Sequence, residues 1–178
     1  MNKRLGIILF NLLVCCGFAF AQQMSDLQKR AEAEAENGKV ASARFLYIRA
    51  YESYAGKGQM KQAVQCGAKA TALYYKENLW QEAFDLLRSV DQTIASQSLS
   101  ESEKSGLRYY TSKERMQMYM KMRRAPQALD HLKAMENYAN ACNDEDVKND
   151  LLYSKAIYYY TFGDSAKGNA VFDEMARN

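Results

Sequence analysis

Apolar side chains recur at spacings of three and four residues along most of the chain, and short polar turns interrupt them. This periodicity is typical of amphipathic helices. Near the C-terminus, Leu152, Ala156 and Tyr159 fall on one helix face before a turn at Gly163. The whole pattern predicts eight helices, at about 25–36, 40–54, 59–76, 79–96, 101–122, 126–141, 143–162 and 165–178.

Local start signals support three of these helices. Ser100 and Glu103 form the S-x-x-E pattern of a capping box before the fifth helix. Pro126 lies in the first turn of the sixth helix, where a missing N–H costs little. The acidic stretch 143–146 opens the seventh helix, because the helix dipole favours negative charge there. This stretch lacks the alternating ligands and closing Glu of a calcium loop, so we interpret it as a helix start.

A pattern of a turn residue, a small residue and two apolar residues occurs four times in the even-numbered helices. The spacings between the four units are 40, 45 and 40 residues. Near-constant spacing of this kind is typical of a solenoid of stacked helix hairpins. In that order, the four positions hold Gly38, Asn78, Arg123 and Gly163; Ala43, Ala83, Ala128 and Gly168; Tyr47, Leu87, Leu132 and Phe172; and Ala50, Val90, Met135 and Met175.

The odd-numbered helices carry a matching pair of positions. The small-residue position holds Ala31, Thr71, Met116 and Ala156, and the aromatic position holds Glu34, Tyr74, Tyr119 and Tyr159. Together these hairpins resemble the tetratricopeptide repeat (TPR), most closely in the first and fourth units. The repeat is longer than the 34 residues of that family and lacks its closing proline. The resemblance implies an all-α, right-handed α-solenoid of about four TPR-like hairpins and eight helices.

The N-terminus has the features of a secretory signal peptide. Lys3 and Arg4 precede an apolar run at 5–20, and Ala19 and Ala21 form an A-x-A cleavage site. We therefore predict a signal peptide at 1–21 and a TPR-like helical repeat domain at 22–178. The alternative is an uncleaved anchor, although a run of about 16 residues is short for a membrane span of roughly 20. The expected location is the periplasm, with secretion as the alternative.

Removal of the signal peptide changes the interpretation of charge and cysteine content. The full chain has 24 basic and 21 acidic residues, whereas the predicted mature chain has 22 and 21, a net charge of +1. This balance implies no nucleic-acid partner. Cys66 and Cys142 remain, and export would permit a disulfide between them. We favour the alternative that they are two separate, mostly buried residues.

The sequence contains little material for catalysis. His131 is the single histidine, and its place inside the sixth helix favours a packed or surface role. The cysteines and this histidine lack the spacing of a zinc site, and the glycines do not form a phosphate-binding loop. We therefore expect no enzyme activity, cofactor or metal.

The TPR resemblance implies a concave groove lined by the first helix of each hairpin. Tyr and Met beside Lys are typical of peptide-binding surfaces, although Tyr75 and Tyr160 could equally lie in the core. The lysines do not reproduce the carboxylate clamp of chaperone-binding TPR domains. The groove residues predicted are Gln65, Ala68, Ala72, Tyr75 and Lys76; Tyr110, Lys113, Gln117, Met120 and Lys121; and Tyr153, Ile157 and Tyr160.

These features predict an exported, non-catalytic scaffold that binds a protein or peptide segment in the groove. The alternative is the periplasmic sensor region of a signal-transduction histidine kinase, because exported TPR-like arrays with Tyr-rich helices resemble the extracytoplasmic N-terminal regions of such kinases. The last helix carries Val171, Phe172 and Met175 without a following helix to cover them. At this end we expect self-association or a continuation of the chain.

Overall fold

The computed structural model describes residues 26–177. This part of the chain is all-helical, with eight α-helices and no strand. The predicted all-α class and number of helices are confirmed, and the predicted signal peptide at 1–21 lies outside the described residues. The helices are α1 (26–36), α2 (Val40–Gly56), α3 (Met60–Lys76), α4 (Trp80–Ser96), α5 (Glu101–Lys121), α6 (Ala125–Cys142), α7 (Glu145–Thr161) and α8 (Ser165–Met175).

One turn geometry joins the helices of each predicted hairpin. Gly38, Asn78, Arg123 and Gly163 have φ values of 73°, 62°, 59° and 85°. The residue after each of these closes the turn with its backbone N–H. For example, the Lys39 N–H donates to the Glu34 carbonyl at 2.9 Å. This bond, spanning six residues, is that of a Schellman motif. Equivalent bonds run from Leu79 to Tyr74, Arg124 to Tyr119 and Asp164 to Tyr159.

The start signals read from the sequence are present in the structure. The Glu103 N–H donates to Ser100 Oγ at 3.2 Å, and the Ser100 N–H donates to Glu103 Oε2 at 2.9 Å. This reciprocal pair confirms the capping box. Asp144 caps α7 by accepting from the Asp146 N–H at 2.9 Å. The acidic stretch is therefore a helix start.

The small residues of the repeat pattern lie where helices approach each other. All eight small-residue positions, in odd and even helices, are buried. Tyr47, Leu87 and Leu132 are buried too, but the fourth member of that set, Phe172, is 37 % exposed. Its exposure follows from the position of α8, which packs mainly against α7.

The central helix is α5, which packs against α3, α4, α6 and α7. It contributes buried side chains to three apolar clusters, through Leu107, Met116 and Met118 respectively. Odd-numbered helices also contact the next odd-numbered helix: α3 packs on α5 and α5 on α7. An ion pair between Lys69 and Glu32, at 2.7 Å, links α3 to α1 in the same way. The odd-numbered helices therefore lie side by side.

Candidate binding surface

A stripe of α5 that faces α3 and α7 holds exposed and half-buried side chains, although four helices pack around α5. Its residues follow one another at spacings of three or four, so they share one side of the helix. Tyr109, Met116 and Met118, which lie between them, are fully buried. The stripe and the neighbouring open side chains of α3 and α7 are called the open face below. It comprises Gln65, Tyr75 and Lys76 of α3, Glu103, Gly106, Tyr110, Lys113, Glu114, Gln117 and Lys121 of α5, and Tyr153 and Ile157 of α7.

The C-terminal halves of α3 and α5 meet in a polar and aromatic cluster. The Tyr75 hydroxyl donates to Gln117 Oε1 at 2.9 Å and approaches Glu114 Oε2 at 3.4 Å. Lys121 Nζ donates to the Tyr75 carbonyl at 2.6 Å and lies 5.5 Å from the centre of the Trp80 ring. Burial raises the pKa of the Tyr75 hydroxyl, which therefore remains a donor. Three of the predicted groove residues thus contact one another.

A second polar cluster joins α5 to α7. Tyr109 donates from its hydroxyl to Asp150 Oδ2 at 2.6 Å, and Lys113 Nζ donates to Asp150 Oδ1 at 2.5 Å. The Tyr110 ring meets the Tyr109 ring edge-on, with centroids 5.4 Å apart. Burial, followed by the bond to Asp150, raises the pKa of the Tyr109 hydroxyl. Lys113 therefore forms an ion pair with a carboxylate of α7, and its side chain is half-buried on the open face.

The three predicted residues of α7 have different environments. Tyr153 is 50 % exposed and Ile157 is half-buried, so both remain on the open face. Tyr160 instead packs towards α8: its ring lies against Phe172, with centroids 5.8 Å apart. A Cβ atom on Gly168 would come within 2.7 Å of the Tyr160 ring. The small residue of the fourth unit thus makes room for Tyr160, which stabilises the α7–α8 hairpin.

The remaining predicted residues of α3 are exposed or half-buried. Gln65 and Lys76 are exposed on α3, and Ala68 and Ala72 beside them are half-buried.

Met120 lies in the core and not in the predicted groove. It is only 8 % exposed and lies in the core cluster with Leu132 and Met135. Lys121 occupies the open position instead, because consecutive residues of a helix point about 100° apart.

A cleft of about 450 Å³ opens at the N-terminal ends of α3 and α5. Its volume falls in the range of small-molecule and side-chain pockets. Met60, Leu107 and Val147 contribute apolar wall, and Tyr110 connects the cleft to the open face. The sequence pattern does not predict this cleft, although Gly106, an isolated glycine inside a helical pattern, is a local sign of it.

The histidine and the two cysteines that the structure describes are buried or half-buried. His131 is half-buried and stacks on Tyr119 with ring centroids 5.5 Å apart; burial, with the charge of Arg115, lowers its pKa. Cys66 and Cys142 are not joined. Burial raises the pKa of the Cys66 thiol to about 11, so this thiol stays protonated at neutral pH.

Comparisons with protein-family models, with curated proteins and with solved structures found no match to this chain. Within residues 26–177, none of the helices is long and apolar enough to cross a membrane. The fold and the open face together define an all-α protein that presents tyrosine, lysine and glutamine side chains from three neighbouring helices.

Proposed function

We propose that the protein is an exported, TPR-like α-solenoid that binds a protein or peptide segment along the open face without catalysing a reaction. The observation that carries this proposal is the open stripe of α5. This stripe faces α3 and α7, and its exposed or half-buried positions hold Tyr110, Lys113, Gln117 and Lys121. Aromatic anchors beside charged and amide groups suit recognition of an extended peptide.

The side-by-side arrangement of the odd-numbered helices supports the solenoid. Each hairpin has a turn residue in the left-handed conformation and a buried small residue in its second helix, as expected where one supersecondary unit stacks on the next. The contacts from α1 to α3, α3 to α5 and α5 to α7 extend along one layer. Export to the periplasm is proposed from the A-x-A site at 19–21 and the apolar run before it.

Selection from a displayed peptide library, followed by calorimetric titration of the selected peptides, tests this function. Tyr153→Ala removes an aromatic side chain that is 50 % exposed on the open face. We expect this variant to weaken peptide binding by about tenfold or more, because exposed tyrosines often supply much of the binding energy.

Phe45→Ala is the matched control, because Phe45 is a 59 % exposed aromatic residue on α2. This variant should bind the selected peptides as the unaltered protein does. Failure to select any peptide, or loss of binding in Phe45→Ala with none in Tyr153→Ala, would contradict the proposed function.

A further inference from the structure

We propose that Glu114 forms a subsite on the open face for the cationic side chain of a bound peptide, an arginine or a lysine. This inference rests on the proposed function and gives the chemistry of the partner. It depends on three observations: the position of Glu114, the hydrogen bonds around it, and the pairing of the neighbouring cations.

Glu114 lies in the middle of the open stripe of α5. Tyr110 precedes it by one helical turn and Gln117 follows it by three residues, so all three side chains share one side of the helix. Tyr75 of α3 reaches the same place from the neighbouring helix. A peptide lying across α3 and α5 would therefore pass over this carboxylate.

The carboxylate of Glu114 has a weak set of protein donors. Within residues 26–177, its one hydrogen bond comes from the Tyr75 hydroxyl at 3.4 Å, which is long for a bond between an O–H and a carboxylate. A tyrosine hydroxyl has a single hydrogen, and Gln117 Oε1 lies closer to it, at 2.9 Å. Most of the acceptor capacity of Glu114 is thus left for another donor.

The two open-face lysines of α5 are already engaged. Lys113, the neighbour of Glu114 in sequence, pairs with Asp150 at 2.5 Å. Lys121 donates to the Tyr75 carbonyl at 2.6 Å. Across residues 26–177, no Lys, Arg or His nitrogen lies within 4 Å of the Glu114 carboxylate.

Burial and charge around Glu114 favour a positively charged guest. The pKa of its carboxyl is raised to about 7, mainly by desolvation and also by Asp150 of α7, against the opposing effects of Lys113 and the Tyr75 hydrogen bond. A partly buried carboxylate without a cation is unfavourable. An arginine or lysine side chain of the partner would supply the missing charge, and the nearby tyrosine rings favour a guanidinium.

The test uses acetyl-Ala-Arg-Ala-amide as the probe and the peptide with citrulline in place of arginine as its neutral match. Amide shifts of the protein, produced from its full sequence, are followed by NMR at pH 8. We expect saturable shifts around residues 110–117 with the arginine peptide, and affinity for the citrulline peptide weaker by about tenfold or more. Lowering the pH to 5.5 should weaken arginine binding, because the carboxyl is then protonated.

Two substitutions separate a binding role from a general charge effect. Glu114→Gln keeps the shape of the side chain and should abolish the preference for arginine over citrulline. Glu82→Gln, at an exposed position of α4, should leave that preference unchanged. Equal binding of both probes to the unaltered protein, an undiminished preference in Glu114→Gln, or no shifts at about 10 mM peptide would each overturn the subsite.

Library peptides distinguish failure of this inference from failure of the proposed function. Binding of the selected peptides could require Tyr153 while no arginine or lysine of these peptides requires Glu114. In that case the open face binds peptides and the proposed cationic subsite is wrong. If no selected peptide depends on Tyr153, the proposed function itself fails.

Discussion

Carboxylates near the open face differ in whether they have a cationic partner. Asp150 lies 2.5 Å from Lys113, and Glu32 lies 2.7 Å from Lys69. The bonds from Lys69 and Gln28 lower the pKa of the Glu32 carboxyl. Burial raises the pKa of Glu114 instead. The pKa of Glu114, which has no cation within 4 Å among residues 26–177, is thus shifted in the opposite direction to the pKa of Glu32.

Glu114 should make folding stability decrease as the pH rises. The pKa of its carboxyl is about 7 in the folded protein, against an ordinary value of 4.5. Between these values the folded protein binds a proton more tightly than the unfolded chain, so the free energy of unfolding falls as the pH rises through this window. The destabilisation is fully present above pH 7.

Glu114→Gln removes this destabilisation. We expect the variant to be more stable than the unaltered protein by about 1–2 kcal/mol at pH 8, with a smaller difference at pH 5. Urea unfolding at the two pH values measures the difference, with Glu82→Gln as the control. A gain in stability that is the same at both pH values would show that Glu114 does not titrate in this window.

Helix packing places different demands on two glycines inside helices. A Cβ atom on Gly67 of α3 would lie 2.9 Å from Cγ2 of Val90, a fully buried residue of α4. A Cβ atom on Gly106 of α5 would lie 3.5 Å from Cβ of Cys142, an ordinary van der Waals distance. Gly67 is therefore required by the close approach of α3 and α4, whereas Gly106 is not required by contact with α6.

Alanine at these two positions should have opposite effects. Gly67→Ala overpacks the α3–α4 contact and should lower the free energy of unfolding by about 1–2 kcal/mol. Gly106→Ala should raise it by about 0.5–1 kcal/mol, because alanine is the better helix former. Urea unfolding of both variants tests this contrast. Equal stability of the two would mean that α4 shifts away from α3 without cost.

At the scale of the whole molecule, stability is concentrated around α5. This helix packs against four others, whereas α8 packs mainly against α7 and leaves Phe172 37 % exposed. Local opening costs least where few apolar contacts hold a segment in place. We therefore expect α8 to open more readily than α5.

Amide hydrogen exchange should follow this arrangement. We expect the slowest exchange in the buried turns of α5 around Met116 and the fastest helical exchange in α8. Mass spectrometry of peptic fragments measures both in one experiment. Protection of α8 as strong as that of α5 would show that α8 is covered in solution, as the predicted self-association at Phe172 requires.

The eight helices, their turns and the buried small positions could be predicted from the sequence. These features depend on local physics: a left-handed turn favours Gly or Asn, as at Gly38 and Asn78, although Arg123 adopts the same conformation. A 3.6-residue period marks the buried face. The capping box at Ser100 was predictable for the same reason, since both partners lie three residues apart.

The packing of the helices determines which side chains of a helix remain open and what they contact. A difference of one position turns a side chain by about 100°, which is why Met120 is in the core and Lys121 on the open face. The turn of Tyr160 towards α8 and the lack of a cation beside Glu114 depend on residues far away in the sequence. Helical periodicity determines the face of a residue, whereas its partners are determined by how the helices pack.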